Sequence, residues 1–86
     1  MKAVMITAIW CPSCIIMRSR YQELFKQLTI DVTEYDFDDD SDIVDKYHIG
    51  SVLPVVIFED NHQELMRING EKSKKELFKL TEGLKK

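Results

Sequence analysis

The sequence predicts an α/β fold in which a four-stranded mixed sheet carries helices on both faces. Short apolar runs of strand length alternate along the chain with segments whose apolar residues recur at helical spacing. A first strand, a helix and a second strand favour a parallel pair joined by a right-handed crossover, and two later strand-like runs separated by a short turn favour an antiparallel hairpin. We therefore expect the element order β-α-β-α-β-β-α and the spatial strand order 2-1-3-4.

The first strand and the first helix meet just before a proline. Residues 2–9 are apolar and partly β-branched, which is typical of a buried strand. Pro12 suits the first turn of a helix, where a missing backbone N–H costs nothing, so we expect a helix over residues 12–28. Its inward face is expected to consist of five apolar side chains at helical spacing: Met17, Tyr21, Leu24, Phe25 and Leu28.

The middle of the chain combines an alternating segment with an acidic one. Residues 31–37 partly alternate and predict a second strand. Residues 38–42 are mostly aspartates, which cap helices and suit the positive end of a helix dipole. We expect a short helix over residues 41–48, with three side chains facing inward: Ile43, Val44 and Tyr47.

The last part of the chain reads as a hairpin followed by a helix. Residues 52–58 form an apolar run, and Pro54 should lie at its start because a central strand excludes proline. A turn at 59–62 and a returning strand at 63–68 complete the predicted hairpin. A final helix is expected over residues 72–84, with four core contacts: Leu77, Phe78, Leu80 and Leu84.

Length and composition limit the possible classes of protein. The chain of 86 residues is expected to be a single domain, residues 1–86. Its net charge of -3 does not suggest nucleic-acid binding, which needs clustered lysines and arginines. No apolar run approaches the roughly 18 residues of a membrane span, and no targeting segment is visible. We expect a monomeric cytoplasmic protein that binds neither nucleic acid nor membranes.

The two cysteines, Cys11 and Cys14, carry the predicted chemistry. Cys11 follows the first strand directly and begins the first helix, where free N–H groups and the helix dipole favour an anion. Cysteines in this position, and in Cys-X-X-Cys pairs, favour the thiolate that attacks disulfides. Cys14 lies three residues later on the same helical face and can reach a mixed disulfide on Cys11. Cys11 is thus the expected nucleophile and Cys14 the expected resolving residue.

The motif Trp10-Cys11-Pro12-Ser13-Cys14 after an apolar strand resembles the active site of thioredoxin- and glutaredoxin-like proteins. The segment from Tyr47 to Pro54, followed by Val-Val-Ile-Phe, is similar to the family's segment leading into its cis-proline. The start of the last helix, after Gly70, also resembles the family. The resemblance covers essentially the whole chain, without the extra N-terminal strand and helix of full-length thioredoxins.

This resemblance implies a thiol–disulfide oxidoreductase that reduces protein or low-molecular-weight disulfides with no cofactor besides its own cysteine pair. It implies a cis peptide bond before Pro54, substrate binding by the backbone of Leu53, and substrate contact by Trp10 beside the nucleophile. Pro12 and Ser13 shape the active site in this comparison. The implied partners are disulfide-containing proteins and either an upstream reductase similar to thioredoxin reductase or glutathione.

The chain departs from the family pattern at several places, of which three concern the chemistry of the site. Thioredoxins bury an aspartate six residues before the nucleophile, where this chain has Met5. They usually carry a lysine on the next strand, where this chain has Glu34. We hypothesise that Glu34, if it points under Cys14, replaces the missing proton acceptor. Glutaredoxins usually bind glutathione with a Gly-Gly pair and an acidic residue, where this chain has only Gly70-Glu71.

Two other functions remain open from the sequence. A redox-inactive binding module could keep the fold and use the groove beside Pro54 for docking. A zinc-binding domain could use both cysteines with His48 and His62, although these histidines lie 14 residues apart instead of the usual 3–5. We expect no metal site, because His62 is predicted in a hairpin turn at the opposite end of the sheet.

Overall fold

The computed structural model of the protein describes residues 1–84 and confirms the predicted order of elements. The last two residues of the predicted domain lie outside the described residues. The strands are β1 (Lys2–Thr7), β2 (Asp31–Asp36), β3 (Val55–Asp60) and β4 (Gln63–Asn69). The helices are α1 (Pro12–Leu28), α2 (Ser41–Lys46) and α3 (Lys74–Leu80), followed by one 3₁₀ turn, Glu82–Leu84.

The four strands form one mixed sheet in the order β2-β1-β3-β4, as the sequence predicts. β1 pairs with β2 in parallel, whereas β3 runs antiparallel to both β1 and β4. This arrangement places the C-terminal ends of β1 and β2 at the same edge of the sheet, next to the start of β3. The residues that follow β1, including the cysteine pair, therefore lie at the edge of the sheet where β1 and β2 end and β3 begins.

Each face of the sheet buries its own apolar cluster. Alternate residues of β1 point to opposite faces, so that Ala3 and Met5 join one cluster and Val4 and Ile6 join the other. α1 and α3 cover the first cluster, and α2 packs on the second. The cysteine pair belongs to the second cluster, although it lies on α1. The site is therefore anchored in the core at the edge where α1 crosses the end of the sheet.

The sequence of α1 explains where the helix ends and which of its faces is buried. Its five predicted inward residues are confirmed, since four are buried and Leu28 is half-buried against the same cluster. Burying each large apolar side chain contributes roughly 1.5–3 kcal/mol. Thr29 ends the helix in a left-handed conformation at φ 55°, and its N–H donates to the Phe25 carbonyl at 2.9 Å. The helix that carries both cysteines is thus held firmly in place.

Several element boundaries differ from the prediction around the site. β1 ends at Thr7, because the Cys11 N–H donates to the Ala8 carbonyl at 3.2 Å and the chain turns there into α1. The apolar run continues past the strand because Ile9, which is 90% exposed, belongs to the surface. β3 begins at Val55, after the proline that cannot donate to a neighbouring strand.

The hairpin between β3 and β4 is tighter than predicted. β3 extends to Asp60, which leaves only Asn61 and His62 in the turn. Both turn residues have positive φ, 51° and 65°, as a two-residue hairpin turn requires. The register shifts between Phe58 and Glu59, where the pairing has a bulge.

The last helices are shorter than predicted. α2 ends at Lys46, and His48 beyond it has a positive φ of 54°. α3 begins at Lys74, because Ser73 caps it, and ends at Leu80. Leu77 is buried as expected, and Phe78 and Leu84 pack partly buried against the first cluster. The prediction that Leu80 is a core residue is wrong, since its side chain is exposed.

Candidate active site

Cys11 occupies the N-cap position of α1. Its backbone is extended, and its Sγ accepts a hydrogen bond from the Cys14 N–H at 3.3 Å. Pro12 follows in the first helical turn, where the missing N–H leaves no donor unsatisfied. The sulfur therefore takes the place of the side-chain oxygen that usually caps a helix, in the position where a negative charge is stabilised.

Cys14 lies one turn further along α1 and deeper in the protein. Cys14 retains 1% of its surface accessible, compared with 6% for Cys11, so Cys11 is the more accessible of the two. Burial raises the pKa of Cys14 to about 12, and its hydrogen bond and charge interaction with Cys11 act in the same direction. The backbone of Ala8 and the charge of Arg18 oppose this rise.

Pro54 lies beside the cysteine pair, and the Leu53–Pro54 peptide bond is cis, as the sequence comparison implies. Leu53 and Pro54 are both buried. The Leu53 carbonyl lies 3.8 Å from the Cys11 Sγ. The Pro54 carbonyl accepts from the Gly70 N–H at 2.9 Å, which ties this loop to the end of β4. The segment before β3 thus meets the start of α1 at the nucleophile.

Trp10 precedes Cys11, is 54% exposed and is held by the loop after β2. Its Nε1–H donates to the Asp38 Oδ2 at 2.6 Å, and its ring meets the Phe37 ring edge-on at a centroid distance of 6.0 Å. The indole face is therefore fixed in orientation while remaining available to a substrate. Asp38 is a site residue that the sequence analysis treated only as part of a helix cap.

The acidic loop after β2 is organised by its own side chains. The Asp36 Oδ2 accepts from the N–H groups of Asp38 and Asp39, at 2.9 and 3.0 Å. The Asp40 Oδ2 accepts from the Asp36 N–H at 2.9 Å. Asp40 is the N-cap residue of α2 by position, but its side chain makes no capping bond to that helix. The aspartates thus shape the loop that holds Trp10 more than they cap α2.

Glu34 lies on β2 opposite Met5 of β1, and its carboxylate is engaged on both oxygens. The Thr7 hydroxyl donates to Oε2 at 2.7 Å, and the Arg18 guanidinium donates to Oε1 at 2.8 Å. Among the described residues, no hydrogen bond joins Glu34 to Cys14, and Glu34 does not contribute to the raised pKa of Cys14. The carboxylate of Glu34 is thus bound by Thr7 and Arg18, and its role as a proton acceptor stays a prediction.

The four residues of the suggested zinc site are divided between the two ends of the sheet. His62 lies in the β3–β4 turn beside Met1 and Lys2 at the start of β1, whereas the cysteines follow the end of β1. Within residues 1–84, no three histidine, cysteine or carboxylate side chains are grouped to hold a metal ion. The observed contacts of the cysteine pair are therefore those within the start of α1 and with the loop before β3.

Apolar side chains surround the accessible edge of the site. Ile9 precedes Trp10, Ile15 and Ile16 follow Cys14 on α1, and Val52 lies in the loop before Pro54; all are exposed. Ser13, between the cysteines, is half-buried. The nucleophile thus opens onto an apolar surface, which suits contact with an extended or partly unfolded chain.

The structure brings six of the predicted site residues around the nucleophile: Trp10, Pro12, Ser13, Cys14, Leu53 and Pro54. Glu34 is not among them, since its carboxylate contacts Thr7 and Arg18. The sequence analysis missed Asp38, Arg18 and Thr7. The spacing of four residues between Cys14 and Arg18 was the available signal, since such residues share a helical face. For Asp38 and Thr7 the partners are far apart in the chain, and no local pattern indicates them.

The helices give no sign of a membrane span: within residues 1–84, none is both long and apolar enough to cross a bilayer. Comparison with curated protein sequences gives no significant match.

Solved thioredoxins have the same fold as this chain. Thioredoxin 1 from the thermophilic eubacterium Thermosipho africanus superposes with a TM-score of 0.85 at 23% identity, covering 98% of this chain and 93% of its own. Oxidised thioredoxin O2 from Arabidopsis thaliana gives 0.82 at 23% identity, over 99% of this chain and 75% of its own. A thioredoxin from Nicotiana alata gives 0.82 at 24% identity, over 99% and 75%. The family model described as thioredoxin matches residues 2–82, so the chain belongs to the thioredoxin family.

Proposed function

We propose that the protein is a thiol–disulfide oxidoreductase that reduces disulfides, with Cys11 as nucleophile and Cys14 as resolving residue. The observation that carries the proposal is the position of the Cys11 Sγ. It caps α1, accepts from the Cys14 N–H at 3.3 Å and lies 3.8 Å from the Leu53 carbonyl. A sulfur so placed accepts a backbone N–H at a helix start, where a negative charge is favoured, and lies beside both a second thiol and the Leu53 backbone.

In the first step the Cys11 thiolate attacks one sulfur of the substrate disulfide. A bond forms between that sulfur and the Cys11 Sγ, the substrate S–S bond breaks, and its electron pair leaves on the other substrate sulfur, which takes a proton from solvent. Trp10, which is exposed, and the backbone of Leu53, whose carbonyl lies 3.8 Å from the Cys11 Sγ, are the groups nearest to such a mixed disulfide. They position the substrate chain across the nucleophile.

In the second step Cys14 resolves the mixed disulfide. The Cys14 thiol loses its proton and its thiolate attacks the Cys11 Sγ, so that the Cys11–Cys14 bond forms and the second substrate sulfur leaves as a thiolate and is protonated. The pair has then lost two electrons and two protons to the substrate. A dithiol reductant of the cell, similar to thioredoxin reductase in its role, or glutathione must return them.

The raised pKa of Cys14 supports net reduction of substrates. A thiol with a pKa of about 12 is a strong nucleophile once ionised and a poor leaving group. Attack on the protein disulfide that expels Cys14 is therefore slow compared with attack that expels an ordinary substrate thiol. A reducing compartment such as the cytoplasm suits this direction, and disulfide-containing proteins are the proposed partners.

The proposal is tested by turnover and by trapping. The reduced protein should reduce the disulfides of insulin with a catalytic reductant present, and Cys11→Ser should abolish this activity. Cys14→Ser should accumulate a mixed disulfide between Cys11 and insulin, visible by mass spectrometry. A Cys14→Ser variant that traps no insulin, together with a Cys11 that does not react with a small aromatic disulfide near neutral pH, would instead favour the redox-inactive binding module.

A further inference from the structure

We propose that Arg18 is a positioning residue for the resolving step, held by Glu34 and Thr7 so that its positive charge favours the thiolate of Cys14. This inference rests on the proposed function and refines it. The Arg18–Glu34 ion pair lies where β2 pairs with Met5 of β1. Because β1 has this apolar residue and no carboxylate, no carboxylate of β1 lies below the cysteines.

The first argument is geometric. Arg18 follows Cys14 by four residues on α1, and side chains at this spacing are neighbours on one helical face, with Cβ atoms about 5–6 Å apart. The guanidinium is fixed by its 2.8 Å bond to Glu34, whose other oxygen accepts from Thr7 at 2.7 Å. Three elements, β1, β2 and α1, therefore hold the arginine at the edge of the cluster that contains Cys14.

The second argument is the charge environment of Cys14. On its own helix, Cys11 raises the pKa of Cys14 and Arg18 lowers it. Directly after β1 the backbone of Ala8 also lowers this pKa, and on β2 Glu34 binds Arg18. Tyr35 and Tyr47 border the same cluster, and the Tyr47 hydroxyl donates to Glu59 at 3.0 Å. Arg18 is thus the one cation among the described residues that acts on Cys14.

The third argument is access for the proton that Cys14 must release. A cavity of about 300 Å³ borders Ala8 and is lined on its other sides by residues that include Thr7, Arg18 and Glu34. This volume is sufficient for several water molecules. Cys14 does not itself line the cavity, but the backbone of Ala8 borders the cavity and also acts on Cys14, so we place the release of the Cys14 proton on this side.

The expected size of the effect follows from two opposing consequences of a higher pKa. If removing the arginine raised the pKa of Cys14 by about one unit, the thiolate fraction at neutral pH would fall about tenfold. The remaining thiolate would be more nucleophilic, by about threefold at a Brønsted coefficient near 0.4–0.5. The net expectation for resolution at pH 7 is a rate about threefold slower.

The experiment measures resolution separately from the first step. Mixed disulfide with a small aromatic thiol is formed on Cys11, and release of that thiol by Cys14 is followed by stopped-flow absorbance from pH 6 to pH 10. Arg18→Gln should slow release about threefold across this range, because the Cys14 thiol, with a pKa of about 12, stays largely protonated throughout it. Arg18→Lys should restore most of the rate. Lys26→Gln removes an equal charge from the exposed last turn of α1 and should leave the profile unchanged.

Glu34→Gln distinguishes positioning from proton transfer. Glutamine keeps an oxygen that accepts from Arg18 but cannot take a proton at neutral pH. The variant should therefore keep the resolution rate within about twofold of the wild type. A loss in Glu34→Gln larger than that in Arg18→Gln would assign Glu34 as the proton acceptor and overturn the proposal.

The ionisation of Cys14 supplies a readout that a merely structural role would not move. The ¹³Cβ shift of Cys14, titrated in a Cys11→Ser background, should show a higher midpoint in Arg18→Gln. An unchanged midpoint overturns the role of Arg18 even if resolution is slow. Failure of the proposed function is seen separately, because the wild-type protein would then not form the mixed disulfide from which the resolution experiment starts.

Discussion

The two cysteines of the motif differ in burial, although they lie only three residues apart. The helix start keeps Cys11 at the surface edge, whereas Cys14 points into the cluster between the sheet and α2. This difference supports the proposed order of attack, because Cys11 is the more accessible sulfur. It also gives the folded protein a dependence on pH that can be measured without any substrate.

We expect the stability of the reduced protein to fall as the pH rises above about 8.5. The thiol of Cys14 has its pKa raised to about 12 by burial, whereas in the unfolded chain it titrates near 8.5. Below that value both states hold the proton, and above it the unfolded state releases its proton first, which favours unfolding. The stabilising contribution is therefore complete below about pH 8.5 and is lost progressively as the pH rises towards 12.

Urea denaturation of the reduced protein at a series of pH values measures this effect. The pKa of Tyr47 is also raised to about 12, by burial and its bond to Glu59, and burial raises that of Tyr21. Unfolded tyrosines titrate near 10, so the interval between about pH 8.5 and 10 reports Cys14 most directly. Cys14→Ala should flatten the dependence in that interval, and an equal slope in the variant would contradict the assignment.

Asp38 fixes the orientation of Trp10, and its removal should affect the site more than the fold. Asp38→Ala deletes the 2.6 Å bond to the indole, which is exposed and therefore contributes little to folding. We expect lower steady-state anisotropy of Trp10 fluorescence and reduction of insulin slowed several-fold, with the free energy of unfolding changed by less than about 1 kcal/mol. Trp10 is the only tryptophan of the chain, so the signal has one source.

Asp39→Ala is the matched control for this prediction. It removes the same charge from the adjacent residue, whose backbone N–H donates to Asp36 but whose side chain is exposed. If both variants slowed the reaction equally, the net charge of the loop, and not the orientation of the indole, would be responsible.

At the scale of elements, α3 is the helix that depends most on its cap. Ser73 and Glu76 form a capping box, in which the Glu76 N–H donates to the Ser73 Oγ at 3.2 Å and the Ser73 N–H donates back to the Glu76 carboxylate at 3.4 Å. The helix has only seven residues and buries Leu77 alone, so packing compensates little for a lost cap.

Ser73→Ala should therefore destabilise the protein by about 1 kcal/mol in urea denaturation. Lys75→Ala, one residue into the same helix and exposed, should change the free energy of unfolding by less than about 0.5 kcal/mol. A Ser73→Ala variant as stable as the wild type would mean that the docking of Leu77 alone holds α3 in place.

The elements were predictable where burial and periodicity agree, and their ends were not. The face of α1 was predictable because its apolar residues from Met17 to Leu28 repeat at helical spacing over about three turns. Ile9 and Val52 extended the apolar runs of β1 and β3 past the real strand ends, because these side chains serve the surface around Cys11 and not the core. The prediction that Leu80 is a core residue was wrong for a similar reason. Periodicity does not show where a short terminal helix ceases to pack against the sheet.

The residues of the site were likewise predictable only where their signal is local in the sequence. The cysteine pair and the cis-proline segment are local signals, and the fold brings them together at the end of β1. The contacts of Arg18 with Glu34 and of Trp10 with Asp38 span 16 and 28 residues of chain. They depend on the rotamers and loop closure that only the folded molecule fixes, which is why the sequence indicated an acidic residue on β2 without its partner.

At the scale of the whole molecule, folding and redox chemistry are coupled through one thermodynamic cycle. The proposed disulfide between Cys11 and Cys14 closes a loop of four residues, and the chain-entropy relation for so short a loop gives a stabilisation of about 2 kcal/mol. The reduced protein has no such constraint on its unfolded chain. We therefore expect the oxidised form to unfold at a higher urea concentration, with a free energy of unfolding about 2 kcal/mol larger.

Parallel urea titrations of the oxidised and reduced forms, followed by circular dichroism and by Trp10 fluorescence, measure this difference. The same cycle requires that folding make the disulfide harder to reduce than it is in the unfolded chain, by about 40 mV for 2 kcal/mol. The fold thus favours the oxidised pair and so favours transfer of electrons to a substrate. An oxidised form less stable than the reduced form would reverse that direction and make the folded pair a donor of disulfides.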